Sequence, residues 1–118
     1  MAARVAIVTG AGQGMGRAVA LKLATDGTRI VVNDVNDEAA DRTVAQVSDA
    51  GGEAVAITGD VTSSSDVKQM VDGALEKFGS VDILVNNAGV LRPTKVIDIE
   101  EDEWDWVIGV NLKGTYLC

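Results

Sequence analysis

Histidine is absent from the 118-residue sequence, and cysteine occurs once, as Cys118. These two scarcities exclude an internal disulfide, zinc sites that use histidine and a Ser-His-Asp catalytic arrangement. We expect no metal site. Function is therefore left to other side chains and to the backbone.

Basic side chains are also few, because 10 Lys and Arg stand against 18 Asp and Glu, for a formal charge of −8. A surface of that sign repels nucleic acid and anionic membranes. Long hydrophobic runs are missing too, and the apolar stretch at Val5–Val8 is too short for a signal peptide or a membrane span. We expect one cytoplasmic domain over residues 1–118, with neither a nucleic-acid nor a membrane partner.

Glycine is concentrated directly after that apolar stretch, at Gly10, Gly12, Gly14 and Gly16. A buried strand that leads through a glycine-rich turn into a helix binds the pyrophosphate of a dinucleotide. Glycine permits a positive φ and a close approach of phosphate to backbone N–H groups. The sequence therefore predicts a nucleotide-binding loop that works through aligned backbone dipoles, with help from Arg17.

Four short apolar runs alternate with helical patterns, which is the order of βαβ units in a parallel α/β sheet. We predict strands that are buried on both faces at residues 4–8, 29–32, 54–58 and 83–85. The second helix is predicted to begin after an Asn36 cap and to end at Gly51-Gly52.

The third helix has the clearest pattern, with Ser63 and Asp66 as a capping pair and Gly79 as the stop. Its apolar residues recur at helical spacing and predict one face against the sheet: Val67, Met70, Val71, Ala74, Leu75 and Phe78.

A last helix is predicted to start near Ile99, with four acidic residues, Glu100 to Glu103, at the positive end of its dipole. Trp104 and Trp106 point about 200° apart on such a helix. We expect one of them to pack inward and the other to meet a neighbour.

Two motifs narrow the interpretation: the spacing Thr9-Gly10-x-x-x-Gly14-x-Gly16 and the segment Asn86-Asn87-Ala88-Gly89. With both, the chain resembles the short-chain dehydrogenase/reductase family over essentially its whole length. The resemblance implies a Rossmann-like, three-layer, doubly wound parallel sheet in strand order 3-2-1-4, truncated after the fourth strand and the following helix. It also implies hydride transfer between nicotinamide and an alcohol or ketone, such as a 3-oxoacyl group or a small secondary alcohol.

The same resemblance implies a set of cofactor-binding residues in the first loop. Asp34 lies 18 residues after Gly16, at the carboxyl end of the second strand, where a carboxylate accepts from ribose hydroxyls and disfavours a 2′-phosphate. Gln13 stands where a basic residue often compensates in the family, so NAD is preferred over NADP. An ordinary turn residue is the alternative for Asp34. The loop residues in this set are Gly10, Gly12, Gln13, Gly14, Met15 and Gly16.

Two later segments complete the predicted cofactor site. By resemblance, Asp60 and Val61 contact adenine, although Asp60 could equally cap the turn toward the next helix. The same resemblance implies that Asn87, Ala88 and Gly89 line the path of the ribose and nicotinamide. Asn86 is expected to tie neighbouring strands together through its side-chain amide.

Asn111 matches the family's catalytic asparagine, which helps to hold a water and a lysine in a proton relay. The serine and the Tyr-x-x-x-Lys pair of the family are absent, since Tyr116 is the only tyrosine and no serine follows Ser80. We therefore expect this chain alone to be inactive, and a noncatalytic NAD-binding module is the alternative function. A flavodoxin-like receiver would need acids near Val8, where the sequence has Thr9 and Gly10.

The fourth strand would be an unpaired apolar edge, and the last helix corresponds to a subunit contact in the family. We therefore expect a homo-oligomer or an aggregation-prone fragment.

Overall fold

Strands and helices alternate along residues 3–118, the part of the chain that the computed structural model describes. The strands are β1 Val5–Val8, β2 Arg29–Asp34, β3 Ala54–Thr58 and β4 Ile83–Val85. The helices are α1 Gly14–Thr25, α2 Asp37–Asp49, α3 Ser64–Phe78, α4 Glu101–Ile108 and α5 Gly114–Leu117. A 3₁₀ turn, Val96–Asp98, precedes α4, and a π-helical turn, Gly109–Lys113, joins α4 to α5.

All four strands are parallel and lie in the order β3-β2-β1-β4, which confirms the predicted fold and strand order. β1 is therefore central, with β2 on one side and β4 on the other. Because the strands are parallel, their carboxyl ends share one edge of the sheet. The strand order reverses at β1, since β2 and β3 follow on one side of it and β4 lies on the other. Ligands of doubly wound sheets bind at such an edge.

Helices cover both faces of the sheet and make two apolar cores. On one face, Ala6 and Val8 of β1 pack with α1 and α2, mainly through small residues such as Ala20 and Ala40. On the other face, Val5, Ile7 and Val31 pack against α3, on the residues Val67, Met70 and Ala74. Alternate residues of one strand thus supply both cores, as a strand with a period of two requires.

The predicted burial on both faces is correct for β1 and for most of β2, but it is wrong for β3 and β4. All of β3 is at most half-buried, and Leu84 of β4 is 38% exposed. Both strands lie at the two ends of the sheet within the described residues, so each has one neighbouring strand only.

The helix caps follow the sequence signals. Asn36 Oδ1 accepts from the N–H of Ala39 (2.9 Å), and Ser63 Oγ accepts from that of Asp66 (3.2 Å). Gly79 ends α3 with a φ of 85°, a conformation that favours glycine. One predicted contact of α3 is wrong, because Leu75 is 45% exposed instead of packing on the sheet.

Candidate functional site

A cavity of about 590 Å³ opens at the carboxyl ends of the strands. Ten of the twelve residues predicted to bind a cofactor line it: Gly10, Gln13, Gly14, Met15, Asp34, Asp60, Val61, Asn87, Ala88 and Gly89. The other two, Gly12 and Gly16, are buried beneath the loop. Sequence reasoning missed six lining residues, namely Asn33, Val35, Gly59, Val90, Trp106 and Val110.

The glycines of the first loop are required for two different reasons. Gly10 and Gly14 have φ values of 62° and 55°, which side chains rarely adopt. Gly12 and Gly16 are instead required for packing, because a Cβ on Gly12 would lie 2.7 Å from the Cβ of Ala39 and one on Gly16 would lie 2.5 Å from the carbonyl oxygen of Gly10. Nothing lies within 4 Å of the corresponding position on Gly14, so the backbone there faces open space.

The beginning of α1 lies directly against this open space. Gln13 is the N-cap residue with an extended backbone, and no side chain caps the first N–H groups of the helix. Free N–H groups at the start of a 12-residue helix, next to a glycine-rich loop, favour an anion such as a diphosphate.

Arg17 does not point into the cavity. Its Nη2 donates to the carbonyl oxygen of Gly12 (2.5 Å) and its Nε donates to Thr43 Oγ1 (3.2 Å). Thr43 is fully buried in α2 and itself donates to the carbonyl oxygen of Ala11 (2.8 Å). Arg17 therefore supports the loop from below, in place of the expected direct help with phosphate.

Asp34 is the last residue of β2 and fixes the same loop from another side. Its Oδ2 accepts from the N–H of Gly12 (2.9 Å), and its Oδ1 accepts from the N–H of Asn36 (3.1 Å). The carboxylate is half-buried and lines the cavity. Asp34 thus has the turn role considered from the sequence, and its position also leaves it available to a ligand.

Asp60 likewise orders a turn and lines the cavity. Its Oδ1 accepts from both the N–H (2.8 Å) and the hydroxyl (2.7 Å) of Thr62, while its own N–H donates to Asp66 Oδ2 (2.9 Å). The capping pair predicted for α3 is therefore half correct, because Asp66 reaches Asp60 rather than Ser63. Val61 lies beside Asp60 and is 6% exposed.

The segment after β4 is joined to the first loop by Asn87. Its Nδ2 donates to the carbonyl oxygens of Thr9 (3.1 Å) and Gly10 (3.2 Å). The hydroxyl of Thr9 accepts from the N–H groups of Asn87 and Ala88, both at 3.0 Å. The expectation for Asn86 is wrong, because Asn87 makes the contacts between strand ends and Asn86 is exposed.

Asn111 lies in the π-helical turn and is not among the residues that line the cavity. Its Nδ2 donates to the carbonyl oxygens of Val90 (2.8 Å) and Val107 (2.9 Å), and its Oδ1 accepts from the N–H of Val90 (3.3 Å). The side chain therefore fastens this turn to the segment that follows Gly89. Single π-helical turns inside helices are frequent at functional sites.

The prediction for the two tryptophans is wrong, since neither packs inward among the described residues. Trp104 is 53% exposed and Trp106 is 40% exposed. Trp106 instead forms part of the cavity wall, and the guanidinium carbon of Arg92 lies 4.6 Å from the centre of its ring. This is a cation–π distance.

The charges around the cavity are negative. Asp34 and Asp60 line it, and none of its lining residues is a Lys or an Arg. Burial raises the pKa of the Cys118 thiol, but that residue packs on the α3 side of the sheet and is not part of the cavity wall. Within residues 3–118, no His, Cys, Asp or Glu residues cluster as metal ligands, and no helix is long and apolar enough to cross a membrane.

Comparisons with known proteins agree with this geometry. The model of the family described as short chain dehydrogenase matches residues 4–118. A solved short chain dehydrogenase from Mycobacterium avium superposes with a TM-score of 0.93 at 43% identity, covering 97% of this chain and 42% of that one.

Two curated relatives are similar over nearly the whole chain. A 3-oxoacyl-[acyl-carrier-protein] reductase of Synechocystis sp. is 43% identical over 100% of this chain and 48% of its own length. The peroxisomal multifunctional enzyme type 2 of Drosophila melanogaster is 44% identical over 98% of this chain and 20% of its own length. The chain thus spans less than half the length of these relatives.

Proposed function

The chain belongs to the short-chain dehydrogenase family, whose members are oxidoreductases that bind a nicotinamide cofactor, and we propose that it forms the half of such an enzyme that binds NAD. In the complete enzyme we propose hydride transfer between the nicotinamide and an alcohol or ketone carbon of a small molecule. The name of the Synechocystis relative suggests a 3-oxoacyl group as the substrate, and a small secondary alcohol is the other substrate class that we propose from the family resemblance. We also propose a cytoplasmic homo-oligomer.

One observation carries this proposal: a single cavity brings together the glycine-rich loop, Asp34, Asp60 and the Asn87–Gly89 segment. A dinucleotide needs an anion site between two sites for its two nucleosides. The free N–H groups of α1 suit the diphosphate, Asp34 and Asp60 suit the adenosine, and the Asn87–Gly89 segment suits the nicotinamide riboside. These residues fit the cofactor because the backbone at Gly14 faces open space beside the free N–H groups of α1, where a diphosphate can approach.

The preference for NAD over NADP is proposed from charge. A 2′-phosphate beside the ribose would approach the carboxylate of Asp34, and like charges at short range repel. No cation lines the cavity to offset that repulsion, and the guanidinium of Arg17 is already bonded to Gly12 and Thr43. Gln13, at the mouth of the loop, adds no charge.

Asn111 is proposed to act in catalysis by positioning. When bound, the cofactor would supply hydride transfer at the C4 atom of its nicotinamide. The bonds from Asn111 to Val90 hold the Gly89–Val90 segment at the end of the cavity where we place this ring. The proton-relay role that the family resemblance implied for Asn111 remains part of the proposal and would require the partners that are absent here.

A noncatalytic NAD-binding module is the second candidate. It is favoured for this chain alone because the sequence has no Tyr-x-x-x-Lys pair and no serine after Ser80. Removal of a proton from an alcohol needs a base, and the sequence has neither the Tyr-x-x-x-Lys pair nor the serine that serve this step in the family.

The test is a titration of the 118-residue chain with NAD, NADP and ADP-ribose by isothermal calorimetry, followed by a search for alcohol-dependent formation of reduced nicotinamide. We expect tighter binding of NAD than of NADP, retention of ADP-ribose binding and no turnover. Tighter binding of NADP would contradict the cofactor preference. Absence of binding to all three ligands would contradict the nucleotide site, and measurable turnover would contradict the noncatalytic candidate.

A further inference from the structure

Met15 is an exposed thioether at the mouth of the cavity. It is the second residue of α1, it lines the cavity, and it is 76% exposed. Met70 is the opposite case, since it is 1% exposed and packs in the core between α3 and the sheet. A hydroperoxide can therefore reach the sulfur of Met15 in the folded chain, whereas the sulfur of Met70 is shielded.

The surroundings of Met15 make a change in its polarity consequential. Beside it, the backbone at Gly14 faces open space, and no side chain caps the first N–H groups of α1. Asp34 and Asp60 already line the cavity, and none of the lining residues is a Lys or an Arg. An acceptor oxygen added at Met15 would therefore make the site less favourable to an anion, with no cation there to offset it.

We propose that Met15 is a site of reversible oxidation by hydrogen peroxide and that its sulfoxide weakens binding of the dinucleotide. In this step the sulfur lone pair attacks one peroxide oxygen, so that an S–O bond forms and the O–O bond breaks. The hydroxide that leaves takes up the proton of the transferred oxygen, and water is the by-product. The sulfur is oxidised by two electrons, the peroxide is reduced by two, and a reductase can reverse the change.

The effect on affinity follows from the polarity of the sulfoxide group. A thioether is only a weak acceptor, whereas a sulfoxide oxygen carries a partial negative charge and accepts hydrogen bonds. It would compete with the diphosphate for the free N–H groups of α1 and repel the phosphate oxygens. The effect on affinity rests on the proposed function, which supplies the dinucleotide, but the site of oxidation does not depend on it.

The first test measures the rate of oxidation of the unmodified 118-residue chain in dilute hydrogen peroxide. Trypsin separates the two methionines, because residues 5–17 contain only Met15 and residues 69–77 contain only Met70. By mass spectrometry, we expect the peptide of Met15 to gain one oxygen atom about tenfold faster, or more, than that of Met70. Equal rates for the two peptides would overturn the proposed site.

The second test measures the dissociation constant of NAD before and after treatment with peroxide. We expect oxidation to weaken binding about 5- to 10-fold, and the two methionine sulfoxide reductases, one for each epimer, to restore the original value. Met15→Leu removes the sulfur at similar size, so peroxide should no longer change its affinity. Met70→Leu and Cys118→Ser are the matched controls, because each removes another sulfur of the described chain, and both should retain the full loss.

Each variant is compared with its own untreated sample, so any effect of the substitution itself cancels. A loss of affinity that persists in Met15→Leu, or no loss when Met15 is oxidised, would overturn the proposed effect. If the untreated chain binds no nicotinamide dinucleotide, the proposed function fails and the effect on affinity fails with it. The rates of the two peptides still decide in that case whether Met15 is the site of oxidation.

Discussion

Asp34 illustrates how one side chain serves both the fold and the site. Its two oxygens hold the N–H groups of Gly12 and Asn36, and the same carboxylate lines the cavity. Each carboxylate oxygen can accept a second hydrogen bond, so ribose hydroxyls can bind without breaking either contact. Its structural and binding roles are therefore compatible.

Asp34→Asn tests the electrostatic part of the cofactor preference. We expect the ratio of the NADP to the NAD dissociation constant to fall about 5- to 10-fold, because removal of the charge removes repulsion of a 2′-phosphate. The amide accepts through one oxygen only, so some stability is lost, but that loss affects both cofactors alike. Calorimetric titration measures the ratio.

Asp37→Asn is the matched control, because Asp37 is a nearby exposed acid of α2 that bonds to the hydroxyl of Thr58 and does not line the cavity. It should leave the ratio unchanged. An equal change in both variants would mean that the general negative field, and not Asp34, sets the preference.

Gly16→Ala tests the packing of the loop. The added methyl group would displace the Asn87 amide or the carbonyl of Gly10, so we expect a loss of about 1–3 kcal/mol in the free energy of unfolding. We also expect weaker binding of NAD, because Asn87 joins β4 to the loop. Urea denaturation and titration with NAD measure the two effects.

Gly109→Ala is the comparison for that variant, since a methyl group there makes an ordinary contact at 3.4 Å with Thr62. It lies in a helical turn, where alanine is favoured over glycine, and should be neutral or stabilising. Equal losses of stability from the two substitutions would show that the close contact of a methyl group at Gly16 is not what destabilises the protein.

At the scale of elements, α2 stabilises the phosphate loop from beneath. The hydroxyl of Thr43 donates to the carbonyl oxygen of Ala11 and also accepts from Arg17. Arg17 in turn donates to the carbonyl oxygen of Gly12. Two consecutive carbonyl groups are thus held by α2 and α1 while Asp34 holds the intervening N–H. The loop is therefore ordered by three elements before a ligand binds.

Thr43→Val tests this support, because it replaces the hydroxyl by a methyl group of similar size. We expect a loss of about 1–3 kcal/mol in stability, since the carbonyl oxygen of Ala11 and the Arg17 N–H lose a buried partner. Affinity for NAD should fall as well, because the loop carbonyls become free to move. Thr25→Val, at the exposed end of α1, is the control and should change neither property by much; equal effects would contradict the role of Thr43.

The elements and caps could be predicted because their signals are local. Ala54–Thr58 and Ile83–Val85 read as short apolar runs, and Asn36 and Ser63 cap within three residues. The errors came from tertiary contacts. Asn33 was missed as a cavity residue because it follows an apolar run in the strand. Asn86 and Asn87 are adjacent and identical in type, so the sequence could not tell which of them joins the strand ends. Trp106 was missed because it faces a cavity that several segments, distant in sequence, create together.

At the scale of the whole molecule, the negative net charge opposes the binding of the anionic ligand that the site is proposed to hold. The chain has a formal charge of −8, and we propose that it binds an anionic dinucleotide. Charges more than about 8 Å apart are screened at physiological salt, whereas free N–H groups at a helix start act at contact distance. Local dipoles can therefore outweigh the overall field.

The exposed β4 strand leads to a prediction about self-association. Within the described residues β4 pairs with β1 alone, and its Leu84 is 38% exposed. An open apolar edge strand favours pairing with another chain. We expect sedimentation velocity to show that the 118-residue chain associates as its concentration is raised.

Leu84→Lys should reduce that association, because a lysine on an edge strand must stay hydrated and opposes edge-to-edge pairing. Leu75→Lys is the matched control, since Leu75 is 45% exposed but lies on α3, away from the sheet edge. It introduces the same charge and should leave association largely unchanged. A strictly monomeric parent chain would mean that the β4 edge does not drive association. Equal effects of both lysines would mean that the added charge, and not the β4 edge, sets the degree of association.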